Sequence, residues 1–212
     1  MARKPTARTG QNSWRWSRTA ETRRVMLRAA REVFVERGFA EAGVAEVVER
    51  AGSSVGSLYH HFGGKSELFL AMWEDHQDEH ESSAAAAVAT ARAAGEDDPL
   101  ELFVHGARAF LRDCWERRHL IRLFMDGDAP PGFELMRRTR GRDWIRKNAV
   151  LLGAGTGPQD RVIVTVLTTV IGEAGREVAA CETAEEAGAV VDTAIHLIRR
   201  LGPPDTTGEH AG

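Results

Sequence analysis

Two apolar patterns of helical period, each only about two turns long, stand back to back with nothing but Gly52-Ser53 between them. The first runs from about Val44 to Ala51 and turns Val44, Val47 and Val48 to one side. The second runs from about Ser54 or Val55 to Phe62 and turns Val55, Leu58 and Phe62 inward. Each has a longer neighbour. Upstream, a helix starting near Thr19 or Thr22 carries Met26, Leu27, Ala30, Val33 and Phe34 on one face and ends at Gly38. Downstream, Gly63-Gly64 breaks the chain before a long helix with Leu68, Phe69, Met72 and Trp73. That helix can continue through the alanine-rich stretch 84–94 to Gly95.

Helical periodicity persists beyond Gly95, in segments near 99–117, 118–125, 133–152, 159–181 and 184–201. Asp97-Asp98-Pro99, the proline-containing loop Asp126 to Gly132, and Gly153 to Pro158 separate them. Strand signals are nearly absent, so the expectation is an all-α chain. No fixed-period repeat suggests a solenoid. The longest mostly apolar stretch, Val162 to Ile171, is too short to span a bilayer. The N-terminus is basic but is not followed by an apolar segment, which predicts no secretory signal and a cytoplasmic protein. Cys114 and Cys181 are far apart in sequence and are read as reduced and buried.

Charge is unevenly spread. Residues 1–66 hold 12 Lys/Arg against 6 Asp/Glu, whereas the remainder holds 16 against 25. A basic head on an acidic body suits a polyanion at one end only. The two short helices, their glycine-containing turn and a third helix packed behind make a helix-turn-helix plan. In that plan the second short helix enters a major groove, so its outer face must be polar. Here that face offers Ser54, Ser57, Tyr59, His60 and His61.

The stretch from Thr22 to Trp73 contains Gly38-Phe39, Ala51-Gly52, the run S-x-G-x-LYHHF from Ser54 to Phe62, and K-x-E-L-F from Lys65 to Phe69. It resembles the TetR family of repressors. The resemblance implies three DNA-binding helices, a fourth connecting helix, and a dimeric effector-binding body of about five more. It also implies that Tyr59 and Lys65 contact backbone phosphates, with His60 a further contact. Ser54, Val55 and Ser57 are placed where base edges or phosphates would be met. A lysine near a helix N-terminus adds positive charge to exposed amides. Three positions depart from the family pattern. Ala42 and Gly43 replace its usual threonines; Gly43 can still cap but supplies no hydroxyl. Ser53 replaces an apolar turn residue. Val55 fills a position that is often polar, and two readings stay open for it: contact with a thymine methyl, or simple packing.

The expected organisation is a basic flexible arm at 1–18, the DNA-binding domain at 19–66, an effector-binding and dimerisation domain at 67–202, and a frayed tail at 203–212. Arg15 and Arg18 of the arm join the expected DNA contacts. Within the body, Phe103, Phe110 and Cys114 share a helix face, and Phe124, Met125 and Trp144 are further large apolar groups. With Glu173, and with His105 and Arg140 as further polar anchors, they are the candidate lining of an apolar effector pocket. The last two helices carry a stripe of Leu167, Val170, Ala174, Val178, Val191, Ala194, Ile195 and Ile198. Intramolecular core would produce the same stripe; the resemblance assigns it to a dimer interface.

Other constellations carry less. His76 and His80 lie four apart on the long helix among carboxylates, a spacing able to hold a metal. Gln77 stands where the H-E-x-x-H pattern needs glutamate, and the pair is read as part of a solvated charged face. Gly153 to Gly157 follows no strand and fits no phosphate loop. Asp126 and Asp128 are too few for a calcium loop. No serine–histidine or cysteine–histidine arrangement stands out, so neither an enzyme, a metal nor a cofactor is expected. A metal-using helical enzyme built on His76 and His80 is one alternative. A membrane-surface protein anchored by Trp14 and Trp16 among arginines is another. The reading carried forward is a homodimeric regulator, released from a palindromic operator by a small aromatic or amphipathic effector.

Overall fold

The computed structural model of the chain describes residues 9–125 and 127–202, with side chains described from residue 19 onward. Among the described residues all regular structure is helical: α1 (Thr9–Glu41), α2 (Val44–Arg50), α3 (Val55–Phe62), α4 (Lys65–Ala93), α5 (Pro99–Glu116), α6 (Arg118–Met125), α7 (Phe133–Leu151), α8 (Pro158–Ala180) and α9 (Ala184–Leu201). The sequence pattern places the start of every helix from α2 onward within a few residues. The exception is α1, which begins at Thr9 and therefore includes part of the stretch expected as an arm. Residues 1–8 and 203–212, and the side chains of Arg15 and Arg18, lie outside those described.

Local chemistry sets the helix ends. Ser54 caps α3, its Oγ accepting from Ser57 N at 3.2 Å. Asp98 caps α5 through a bond from Leu100 N at 2.9 Å, and Pro99 takes a first-turn position where no N–H is needed. Thr183 and Glu186 form a reciprocal capping box on α9.

Contacts divide the chain into two compact units. The first holds the residues up to Glu74 together with Asp128–Pro130; the second holds Asp75–Gly127 and the residues from Pro131 on. The division falls inside α4, beyond the expected boundary at residue 66. Leu68, Phe69 and Met72 of α4 are fully buried, and Phe69 meets the rings of Phe34 and Phe39 edge-on at 5.4 and 5.2 Å.

The first unit is a small helical head. Met26, Leu27, Ala30, Val33 and Phe34 of α1 are all buried, as their spacing predicts, with Val47, Val48 and Leu58 of the short helices. Helices as short as α2 and α3 do not persist alone, because the cost of nucleation is spread over too few turns. Their stability comes from this shared core. An ion pair reinforces it: Arg50 of α2 donates to Glu36 of α1 at 2.8 Å and to Glu46 at 3.1 Å. Gly38 breaks α1 with φ of 74°, a conformation that favours glycine. Just past the break, Ala40 N donates to the Asp128 carboxylate at 2.7 Å.

In the second unit, the body, α5 and α9 pack on α8. One core cluster joins Phe103, Val104 and Ala107 of α5 to Leu167 and Ile171 of α8 and Ile195 and Ile198 of α9. A second joins Leu111 and Cys114 to Ala174, Val178, Ala187 and Ala194. Gly175 permits the approach of α5 to α8, because a Cβ there would stand 3.0 Å from both Cys114 Sγ and the Phe110 ring.

Candidate functional sites: the helix-turn-helix face and a cavity in the body

In the head, α3 is held from one side and open on the other. Leu58 is fully buried, whereas Tyr59 is 54% exposed and Val55 46% exposed. The exposure of Val55 corrects the expectation that it faces inward. Ser54, His60 and Gly56 share the open side, and Ser57 and His61 are half-buried. The inner end is fixed by Phe62, whose ring lies 5.4 Å beneath the guanidinium of Arg23. Gly43, exposed and extended, precedes α2 without a side-chain cap.

Lys65 opens α4 in a defined pose. Its Nζ donates to the Ala40 carbonyl at 2.7 Å and sits 4.8 Å from the centre of the Phe39 ring. An ammonium has three donors. One is used here, and the pose fixes the direction of the rest.

The body contains a cavity of about 280 Å³ walled by α4, α5, α7 and α8. Its apolar lining includes Val88, Phe103, Phe110, Trp144, Leu151 and Ile171. The Phe110 and Trp144 rings meet edge-to-face at 5.7 Å. Asn148 is the buried polar group of the lining, its Nδ2 donating to Thr168 Oγ1 at 3.0 Å. Glu81, Lys147 and Arg92 supply the charges. Glu81 accepts from Arg140 at 2.9 Å and is also paired with Lys147.

Three of the expected lining residues, Phe103, Phe110 and Trp144, are in this wall. Four are elsewhere. Cys114 is buried in the core beside Ala174 and Val178, and burial pushes its thiol pKa up. Phe124 packs against His76 and Phe133, at ring separations of 5.4 and 6.1 Å. Met125 is exposed, and Glu173 pairs with Arg176 on the α8 surface. The additional polar anchors fare similarly: His105 is exposed, and Arg140 reaches the cavity only through its bond to Glu81.

The histidine pair also departs from expectation. His76 and His80 are each only 1% exposed, so they are not a solvated face. Their Nε2 atoms are 3.0 Å apart, and His80 Nδ1 is 3.5 Å from the buried Asp113 carboxylate. Burial lowers the His80 pKa to about 4 and raises that of Asp113. The i and i+4 spacing put both rings on one side of α4, and the packing of Phe110 and Phe124 turned that side inward. Among the described residues no group of three His, Cys, Asp or Glu side chains has metal-binding geometry.

On α8 and α9 the expected interface stripe is divided. Leu167, Val178, Ile195 and Ile198 are sealed inside the chain's own core. A groove beside that core is lined instead by Val170, Ala174, Val190, Ala194 and Leu197, with Glu173 and Glu177. Leu197 is 42% exposed, and Val162 and Val166 of α8 are exposed too.

The family profile described as "Bacterial regulatory proteins, tetR family" matches residues 26–72, the helices of the head. The head of this chain is a TetR-family DNA-binding domain. A curated relative is the HTH-type transcriptional activator FasR of Mycolicibacterium smegmatis, 50% identical over 58 residues. Another is the HTH-type transcriptional repressor AcnR of Corynebacterium efficiens, 43% identical over 51 residues. These matches cover 27% and 24% of this chain, and 26% and 27% of the respective relatives. The shared stretch is thus about a quarter of each relative's length. Across the whole fold, a TetR-family regulator from Pectobacterium atrosepticum superposes with a TM-score of 0.58 at 26% identity, covering 87% of this chain and 94% of that one. The SmeT–triclosan complex has the same fold, with a TM-score of 0.66 at 18% identity and coverage of 91% and 99%. The family likeness in sequence is concentrated in the head, while the body shares the fold.

Several cavity residues carried no sequence signal of their own. Ala84, Ala85, Val88 and Arg92 fall on one side of α4 at helical spacing, facing Trp144, Lys147, Asn148 and Leu151 of α7. Alanines in a long helix read as helix formers, and only the packing of α7 makes them a wall.

Proposed function

We propose that this chain is a ligand-responsive transcriptional regulator. Two copies bind a two-fold-symmetric operator in double-stranded DNA, and a small aromatic or amphipathic molecule in the body cavity releases it. The observation that carries the reading is the open face of α3, where Val55 and Tyr59 are exposed on a helix otherwise clamped into the head. A large apolar and a phenolic side chain left on the outer face of a helix-turn-helix suit contact with base edges and phosphate oxygens. Val55 supplies a methyl surface for a thymine, Tyr59 a donor to phosphate, and Lys65 a charge whose direction is fixed by Ala40 and Phe39. Ser54, Ser57, His60 and Gly43 border the same face. The 12 Lys/Arg against 6 Asp/Glu in residues 1–66 add attraction to the backbone.

Assembly through the groove of α8 and α9 supplies the symmetry. A second copy covers Val166 and Leu197, which one chain leaves exposed, together with the half-buried Val170. Repression is favoured over activation by the resemblance, although the relatives include both an activator and a repressor. The solved SmeT structure holds triclosan, which supports a small-molecule effector in a body of this fold. No enzymatic step is assigned to the chain, and the protein acts in the cytoplasm.

Selection of bound duplexes from random DNA tests this reading. The expected product is a motif of two inverted half-sites whose centres lie about 34–36 Å apart along the duplex. Tyr59→Phe then weakens binding to that motif and to scrambled duplex by a similar factor, about fivefold for one lost hydrogen bond. A selection that enriches no motif contradicts the proposal.

A further inference from the structure

The cavity has a charge imbalance that points to the chemistry of its ligand. Of its three charged lining residues, Glu81 and Lys147 pair with each other, and Glu81 also binds Arg140. The Arg92 guanidinium has neither an ion pair nor a hydrogen bond to any described residue. It stands in the last turn of α4, where the helix dipole favours a cation but leaves its guanidinium donors free. Ala85, Ala89 and Arg92 are all exposed and line the cavity from one side of α4, so this side is its mouth. The interior is apolar, with Phe103, Phe110 and Trp144 in its wall.

Size constrains the ligand further. An apolar cavity of about 150 Å³ accepts benzene. The present cavity, at about 280 Å³, has nearly twice that space. We propose that it takes a monoanionic ligand with a compact apolar body of about two fused rings, whose acidic group meets Arg92 at the mouth. This rests on the reading of the chain as a ligand-responsive regulator and names the class of its effector. A guanidinium suits the role because its planar fork of donors matches a carboxylate in two parallel bonds. A cationic ligand would meet an uncompensated positive charge at the same place, and a neutral one would leave the guanidinium unused.

The test uses the full chain and two probes of the same shape, 2-naphthoate and its neutral counterpart 2-naphthamide, with binding followed by calorimetry. The wild type is expected to bind the carboxylate about tenfold more tightly than the amide, as a charge-assisted pair allows. In Arg92→Gln that preference falls to about twofold or less, because the fork is replaced by a neutral amide. Ala85→Phe, which fills the mouth, should abolish binding of both probes. Equal affinity for the two probes overturns the proposal, as does tighter binding of the amide or a preference unchanged in Arg92→Gln. Carboxylate binding that survives Ala85→Phe also overturns it, because the site is then elsewhere. Binding of the selected operator, measured separately on the same protein, distinguishes the two readings. Retained operator binding with no affinity for 2-naphthoate removes the anionic effector and leaves the regulator; loss of sequence-specific DNA binding removes the regulator itself.

Discussion

His80 shows what burial does to a single ionisable side chain. Its ring lies between His76 Nε2, 3.0 Å away, and the Asp113 carboxylate at 3.5 Å, with Phe110 packed 5.0 Å from its centre. Desolvation holds its pKa down at about 4, so the folded protein keeps this ring neutral where the unfolded chain already takes up a proton. The resulting stability is complete above the unfolded value of about 6.5. It drains away as pH falls from there to about 4. At pH 5 the loss is on the order of 2 kcal/mol. Asp113, whose pKa is raised by burial, acts in the opposite sense, since its folded form gains protons as pH falls, and it offsets part of the slope. Urea denaturation of the wild type should therefore show lower stability at pH 5 than at pH 7. His80→Gln should show a visibly smaller difference. An identical pH dependence in the variant would mean that His80 does not titrate between these limits.

At the scale of the element, α8 and α9 show why a sequence stripe and a surface are different things. Ile195 and Leu197 are two residues apart on α9, yet Ile195 is 1% exposed and Leu197 42%. Ile195→Glu should destabilise the fold by on the order of 3–5 kcal/mol, since a carboxylate would enter the cluster around Phe103 and Leu167 without a partner. Leu197→Glu should leave the melting temperature nearly unchanged and convert the proposed dimer to monomer in sedimentation. Equal stability losses in both variants would contradict the division of the stripe. The sequence read most helices well because glycine, proline and capping residues mark their ends: Gly63 after α3, Asp98-Pro99 before α5, Thr183 before α9. The core of the head was legible because Met26, Val33, Phe34, Leu58 and Phe69 stand at helical spacing within their helices and all pack inward. Two features were not legible. The start of α1 at Thr9 lies in a polar stretch without apolar period. The faces of α4, α8 and α9 depend on which neighbour packs where, which periodicity alone does not specify; His76, His80 and Ile195 changed assignment for that reason.

For the whole molecule, the proposed function makes binding depend on pairing one weak reader with another. A single α3 presents only two turns of helix and a few side chains, and its contacts reach one half-site. In the proposed dimer, doubling the head through α8 and α9 adds the two sets of contacts and imposes operator symmetry on the DNA. Under the same proposal, ligand in the cavity needs only to favour a conformation in which the heads no longer match successive grooves. The most direct measurement of this account is the stoichiometry and affinity of the full chain on two duplexes. One carries both selected half-sites; the other has one half-site scrambled. The account predicts two chains on the complete duplex and affinity about a hundredfold lower or worse on the scrambled one, since each lost base contact costs about 1–3 kcal/mol. One chain bound per duplex, with equal affinity for both, would contradict it.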